Sequence, residues 1–145
     1  MNNMFFNLSN SIIYELVRIK SNNGWLYGKI FKANEFICHS LEVERADNLE
    51  HDLYELFPTT DEISGIRKIE IKSGSGFYVS EFVFENTEFW RGIEIRKNDN
   101  KITCGCMVML PNLVNREYFF ERIYKELFLN RLSGLTSVLR ISGNL

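Results

Sequence analysis

The sequence predicts an α+β fold that is mainly β, an antiparallel, barrel-like meander followed by one C-terminal amphipathic helix and a final strand. Three observations predict it. Short segments with a hydrophobic period of two recur from residue 12 to residue 72, parted by Gly, Asn and Ser clusters at hairpin spacing. One late segment, residues 115–128, switches to the period of a helix. Twelve Phe, six Tyr and two Trp in 145 residues supply a ring-rich core. A chain of this length buries roughly two-thirds of its unfolded surface as one domain.

Residues 1–11 read as a flexible N-terminal arm carrying Met4, Phe5 and Phe6, and residues 12–145 as a single globular domain. Residues 12–20 predict the first strand, with Arg18 and Lys20 sharing a polar face, and Ser21-Asn22-Asn23-Gly24 supplies turn chemistry. Residues 25–31 form the second arm of that hairpin, and residues 36–43 a third strand carrying Cys38 and His39. Residues 44–55 lose the period of two, and Leu49, Leu53 and Leu56 suit a turn or two of helix ended by Pro58. A strand over 63–72 turns Ile69 and Ile71 inward, and Ser73-Gly74-Ser75-Gly76 breaks it. Residues 77–89 cover the sheet as a strand or irregular flap. Asn115 caps the helix, whose stripe is Phe120, Ile123, Tyr124, Leu127 and Phe128, and Ser133-Gly134 closes it before a strand over 136–141.

The composition excludes several partners. A formal charge of -2 and a pI near 5.8, with charges mixed along the chain, leave no basic stripe for nucleic acid. No apolar run approaches a bilayer span, and residues 1–10 lack a secretory pattern. Cytoplasmic synthesis is the expectation, with virion association the alternative for an assembly protein. Three cysteines are an odd number, and Cys104 and Cys106 lie too close along an extended segment to bridge readily, so reduced thiols are expected. No cofactor is called for.

The stretch with most chemistry is residues 91–110, RGIEIRKNDNKITCGCMVML. Ile93 and Ile95 alternate with Glu94 and Arg96 as a strand would, and Asn98-Asp99-Asn100 tolerate a reversal. Gly105, between two cysteines, lets the backbone bend and present Cys106 at a rim, and residues 107–110 read as a buried strand stopped by Pro111. A hairpin over this stretch follows.

Gly92-Ile93-Glu94-Ile95, a polar turn, then Gly105-Cys106-Met107-Val108 resembles a domain-of-unknown-function family of small phage and bacterial proteins. Gly24 to Gly28, Cys38-His39-Ser40-Leu41-Glu42 and Phe57-Pro58 match its earlier landmarks in order, so the likeness covers about residues 14–110. The same arrangement is similar to the catalytic region of L,D-transpeptidases, cell-wall cross-linking enzymes of β-rich fold. That resemblance implies a cysteine nucleophile at Cys106 and puts Arg96 where their histidine stands. An arginine stays protonated and takes no proton from a thiol, although its charge lowers the pKa of a neighbouring thiol. The resemblance therefore implies a non-catalytic or degenerate relative, phage or mobile-element encoded, that binds a protein partner or a peptidoglycan fragment or serves in assembly. A cysteine-dependent peptidoglycan enzyme is the alternative.

Each site residue has a bland reading beside the sharp one. Cys106 is a nucleophile or a small apolar strand residue, and His39 is its substitute base or a half-buried structural histidine. Zinc is not expected, because C-x-C lacks the two-residue spacer of a knuckle and no second pair exists. Trp25, after a turn, and Trp90, before the hairpin, are candidate ligand-stacking rings or rim packing, with Asn98 and Asn100 as polar contacts at the turn. Glu42 with Glu44, and Glu81 with Glu85 and Glu88, read as solvated faces rather than glycosidase carboxylates. The helix stripe reads as core, with Phe119 to one side as a contact for a homo-oligomer.

Overall fold

The structure is a computed structural model that describes residues 8–22, 24–44, 48–86, 106–110 and 115–143. A 3-10 turn at Leu8–Asn10 leads into eight strands, β1 (Ser11–Asn22), β2 (Trp25–Lys32), β3 (Glu35–Val43), β4 (Leu53–Thr60), β5 (Arg67–Lys72), β6 (Tyr78–Asn86), β7 (Cys106–Leu110) and β8 (Thr136–Gly143). The helix α1 (Arg116–Leu132) lies between the last two. The strands close into a barrel in the order β1-β2-β3-β7-β6-β5-β4-β8. Six of its junctions are antiparallel, as the meander predicts, while β6 with β7 and β1 with β8 pair in parallel. The mainly β class, the single C-terminal helix and the final strand are those the sequence predicts.

Alternation builds the wall. Tyr14, Leu16, Ile30, Cys38, Tyr54, Leu56, Ile69, Ile71, Phe82, Phe84, Leu139 and Ile141 are buried in one core cluster, each two residues from another member on its strand or paired across the ladder. The two-residue turn between β2 and β3 holds Ala33 at φ 51° and Asn34 at φ 64°, the positive pair that a tight hairpin twisting with its strands requires.

The helix closes one end. Asn115 accepts a hydrogen bond from the Tyr118 backbone N–H at 2.9 Å, which satisfies an otherwise orphaned donor. Phe119, Ile123 and Leu127, one turn apart, enter the barrel core, and each contributes about 1.5–3 kcal/mol by its burial. Phe120 and Tyr124 flank them, and Phe84 stacks on both Phe119 and Phe120. Phe119, expected off the stripe, is thus core, while Phe128, expected in it, is 46% exposed. The helix meets the barrel on the 119-123-127 line, a rotation that a ring-rich helix with several apolar faces leaves open.

Four further expectations are corrected. Residues 53–60 form a strand, not a helical turn, because Tyr54, Leu56 and Pro58 alternate into the barrel. Pro58 is tolerated there because β8 pairs only with residues 53–55 of β4, so no ladder on that side needs its missing N–H. β5 begins at Arg67 rather than at residue 63, since the Asp61 carboxylate accepts from the N–H groups of Ile63 and Ser64 and folds a turn that leaves Ile63 in solvent. Arg18 and Lys20 do not share a face, because a bulge between them turns Arg18 inward and Lys20 out. Lastly, β7 pairs with β3 on one edge and β6 on the other, so over residues 107–109 neither edge is free for a hairpin partner. The expected first arm, residues 92–96, lies outside the described residues.

Candidate functional site: the polar mouth of the barrel

The core is apolar next to the helix and polar at the opposite end. Of the five buried polar residues among those described, Ser137 serves the helix through Asn130, and the other four, Arg18, Ser40, Glu42 and Ser80, belong to the far half. The register explains why they converge. Arg18 pairs with Gly28 and Gly28 with Ser40, one rung of the wall across β1, β2 and β3. Two residues on, Glu42 follows Ser40 on the same face.

Arg18 and Glu42 form a forked ion pair. Arg18 Nε donates to Glu42 Oε2 at 2.9 Å and Nη2 to Oε1 at 2.8 Å, with side-chain exposures of 5% and 3%. Nη2 also donates to the Leu49 carbonyl at 2.8 Å, which ties the segment before β4 across the mouth. That strap is further held where Tyr54 donates to the Glu50 carbonyl and Ile141 N–H to that of Asp52. Leu49 packs its side chain on the core.

Ser40 Oγ, 2% exposed, has no hydrogen-bond partner among the described residues. Its place depends on Gly28, where a Cβ would lie 2.6 Å from Ser40 Oγ and 2.7 Å from the Val17 carbonyl. Glycine at this rung is what leaves room for the hydroxyl, which lies over it.

β7 enters at the same mouth. Cys106 pairs with Phe82, and Leu41 pairs with Met107, so Glu42 stands at the level of Cys106. His39 pairs with Met109, an odd number of residues from Cys106, and the strand pleat therefore assigns these two positions to opposite faces of the wall. The His39 ring is exposed and packs edge-on to Phe36 at 5.0 Å, and His51 lies in an exposed bend. The register keeps His39 on the outer face, and His51 is exposed.

Trp25, expected at an open rim, is 1% exposed and offers no face to a ligand. It opens β2, paired with Val43 of β3. Trp90, Arg96, Asn98, Asn100 and Cys104 lie outside the described residues. Cys38 lines a small apolar void of about 20 Å³ near the helix with Tyr14, Phe84 and Phe119, and burial pushes its thiol up to about 12. Among the described residues no group of three or more His, Cys, Asp or Glu is placed to hold a metal ion, and no helix is long and apolar enough to cross a membrane.

A larger groove of about 530 Å³ opens outside the barrel, between β5, β6 and the start of α1. Two of its charges are engaged with each other, Arg67 bonding Glu121 and lying over the Phe120 and Tyr124 rings. The polar mouth is the better candidate, since buried charges are costly and need a reason to be kept.

Sequence reasoning missed Arg18, Ser40 and Ser80, and read Glu42 as solvated. A trace was present, because Arg18 continues the even spacing of Tyr14 and Leu16, and Glu42 that of Cys38 and Ser40. A charge on an inward line of two neighbouring strands marks a buried pair. No protein-family model, curated protein or solved structure matches the chain.

Proposed function

We propose that this chain is a non-catalytic, degenerate L,D-transpeptidase-like module that acts by holding a protein partner or a peptidoglycan fragment, in a phage or mobile-element setting. The observation that supports this reading is the position of its two histidines. A thiol nucleophile needs a base within about 3 Å. His39 stands on the outer face against Phe36, at a register position of the opposite parity to Cys106, and His51 is out in a bend. The remaining candidate, Arg96, is a fixed cation. What the mouth does offer is recognition chemistry, an oriented guanidinium and a buried hydroxyl.

Purified protein incubated with muropeptides bearing tetrapeptide stems, and followed by mass spectrometry, decides the matter. The expected outcome is neither cross-linking nor cleavage, the same for wild type and Cys106→Ala, and iodoacetamide labelling of Cys106 no faster than that of N-acetylcysteine. Turnover that disappears in Cys106→Ala would replace this reading with the thiol enzyme.

A further inference from the structure

The strap across the polar mouth behaves chemically as a bound peptide does. Glu42 takes the Nε hydrogen of Arg18 and one on Nη2, which fixes the guanidinium plane, and a second Nη2 hydrogen then points at a backbone carbonyl, that of Leu49. Because the pair is neutral overall, the donor it presents suits an uncharged acceptor such as an amide carbonyl better than a carboxylate or phosphate, which would meet the Glu42 charge. Leu49 adds an apolar side chain against the core beside that carbonyl. Ser40 Oγ, buried on the same inner face and on the rung of Arg18, is a polar atom that the strap leaves without a partner among the described residues. Residues 48–52 belong to no strand or helix, and the bonds that would have to open for them to move are those from Arg18 to Leu49 O, from Tyr54 to Glu50 O and from Ile141 N–H to Asp52 O.

We propose that residues 48–52 are a displaceable, autoinhibitory plug in a peptide-binding mouth. The ligand is a peptide segment that gives one backbone carbonyl to Arg18 and one branched apolar side chain to the seat of Leu49. The proposal rests on the binding reading above and supplies its ligand class. A plug closed nine-tenths of the time lowers the apparent affinity of such a ligand about tenfold, so loosening the plug recovers that factor.

The test uses 15N-labelled full-length protein. Titration with N-acetyl-leucine N′-methylamide is expected to move the Arg18 Nε–H resonance and the amides of Leu49, Asp52 and Ile141 saturably, while N-acetylglycine N′-methylamide and acetate do not. Leu49→Gly is expected to bind the leucine probe up to about tenfold more tightly than wild type. Equal response to all three probes, or saturable response to none, overturns the proposal. Hydrogen exchange in the wild type gives a readout that needs no variant. The Ile141 N–H, bonded to Asp52 O, is expected to exchange by local opening faster than the Leu139 N–H in the ladder. Equal protection of the two overturns the displaceable plug. Turnover on muropeptides would refute the non-catalytic reading and leave these shifts as they are, so the two failures are separable.

Discussion

Arg18 and Glu42 set the energetics at the scale of the residue. Each charge offsets the other in the core, so Glu42→Gln deprives the buried guanidinium of the carboxylate that its Nε and Nη2 both bond. That variant is expected to lose about 3–5 kcal/mol of stability, read from urea unfolding. The double replacement Arg18→Met with Glu42→Leu removes both charges and is expected to recover most of the loss, a non-additivity that identifies a coupled pair. A double variant as unstable as the single one would show that the ion pair does more than neutralise itself. Cys38 illustrates the opposite case, a residue singled out in sequence whose chemistry burial suppresses. With its thiol pushed up to about 12, it stays protonated at neutral pH in the folded chain. Mass spectrometry after iodoacetamide treatment at pH 8 is expected to find Cys38 unmodified until urea unfolds the protein. On the alkaline side, above the ordinary thiol value of 9.0, only the unfolded chain ionises this group, so its contribution to stability falls as pH rises toward 12.

Helix docking is decided at the scale of the element. Three apolar side chains on one line enter the barrel, and Glu126 completes the join by accepting from Tyr14 Oη and Lys32 Nζ. Burial alone would raise the Glu126 carboxyl, but the hydrogen bonds from Lys32 and Tyr14 more than offset it and hold it below the usual carboxylate range. Its folded-state value is therefore below its unfolded one, so its stabilisation is present above the ordinary value of 4.5 and is lost as pH falls through the folded value. Comparing thermal unfolding of wild type and Glu126→Gln, we expect a deficit at pH 6 of no more than about 1 kcal/mol, since the carboxylate is partly solvated. That deficit is expected to shrink by pH 3. A deficit unchanged with pH would place the effect in packing instead. The helix itself was legible from its cap and period, whereas its rotation was not. Phe119, Phe120, Tyr124 and Phe128 all suit a core, and only the apolar end of the barrel that the helix closes selects among them. The same holds for β4, where three leucines at near-helical spacing outweighed the weaker alternation of Tyr54, Leu56 and Pro58.

At the scale of the molecule, closure is the property no local pattern announces. Hairpin turns made the β1-β2-β3 meander readable, since both partners of each ladder are neighbours in sequence. The parallel junction of β1 with β8 joins strands far apart in the chain, and nothing in residues 11–18 marks residues 136–143 as their partner. The polar mouth was illegible for the same reason, because it exists only once distant strands share a rung. β8 contributes Leu139 and Ile141 to the core cluster and bridges β1 to β4. A chain stopped after Leu135 leaves a long ladder edge on β1, a short one on β4 and a split core, and it is expected to lose cooperative unfolding in circular dichroism, a two-state loss rather than a lowered midpoint. A cooperative transition in that truncated chain would show that seven strands suffice.

The stave that seals the ring is also the last of the eight to leave the ribosome. Until it emerges, β1 and β4 each present a bare hydrogen-bonding margin to whatever else is nearby. Synthesis of this protein thus passes through a moment when most of its sheet has been made and none of it can be shut, and slow translation over residues 116–143 would prolong that exposure.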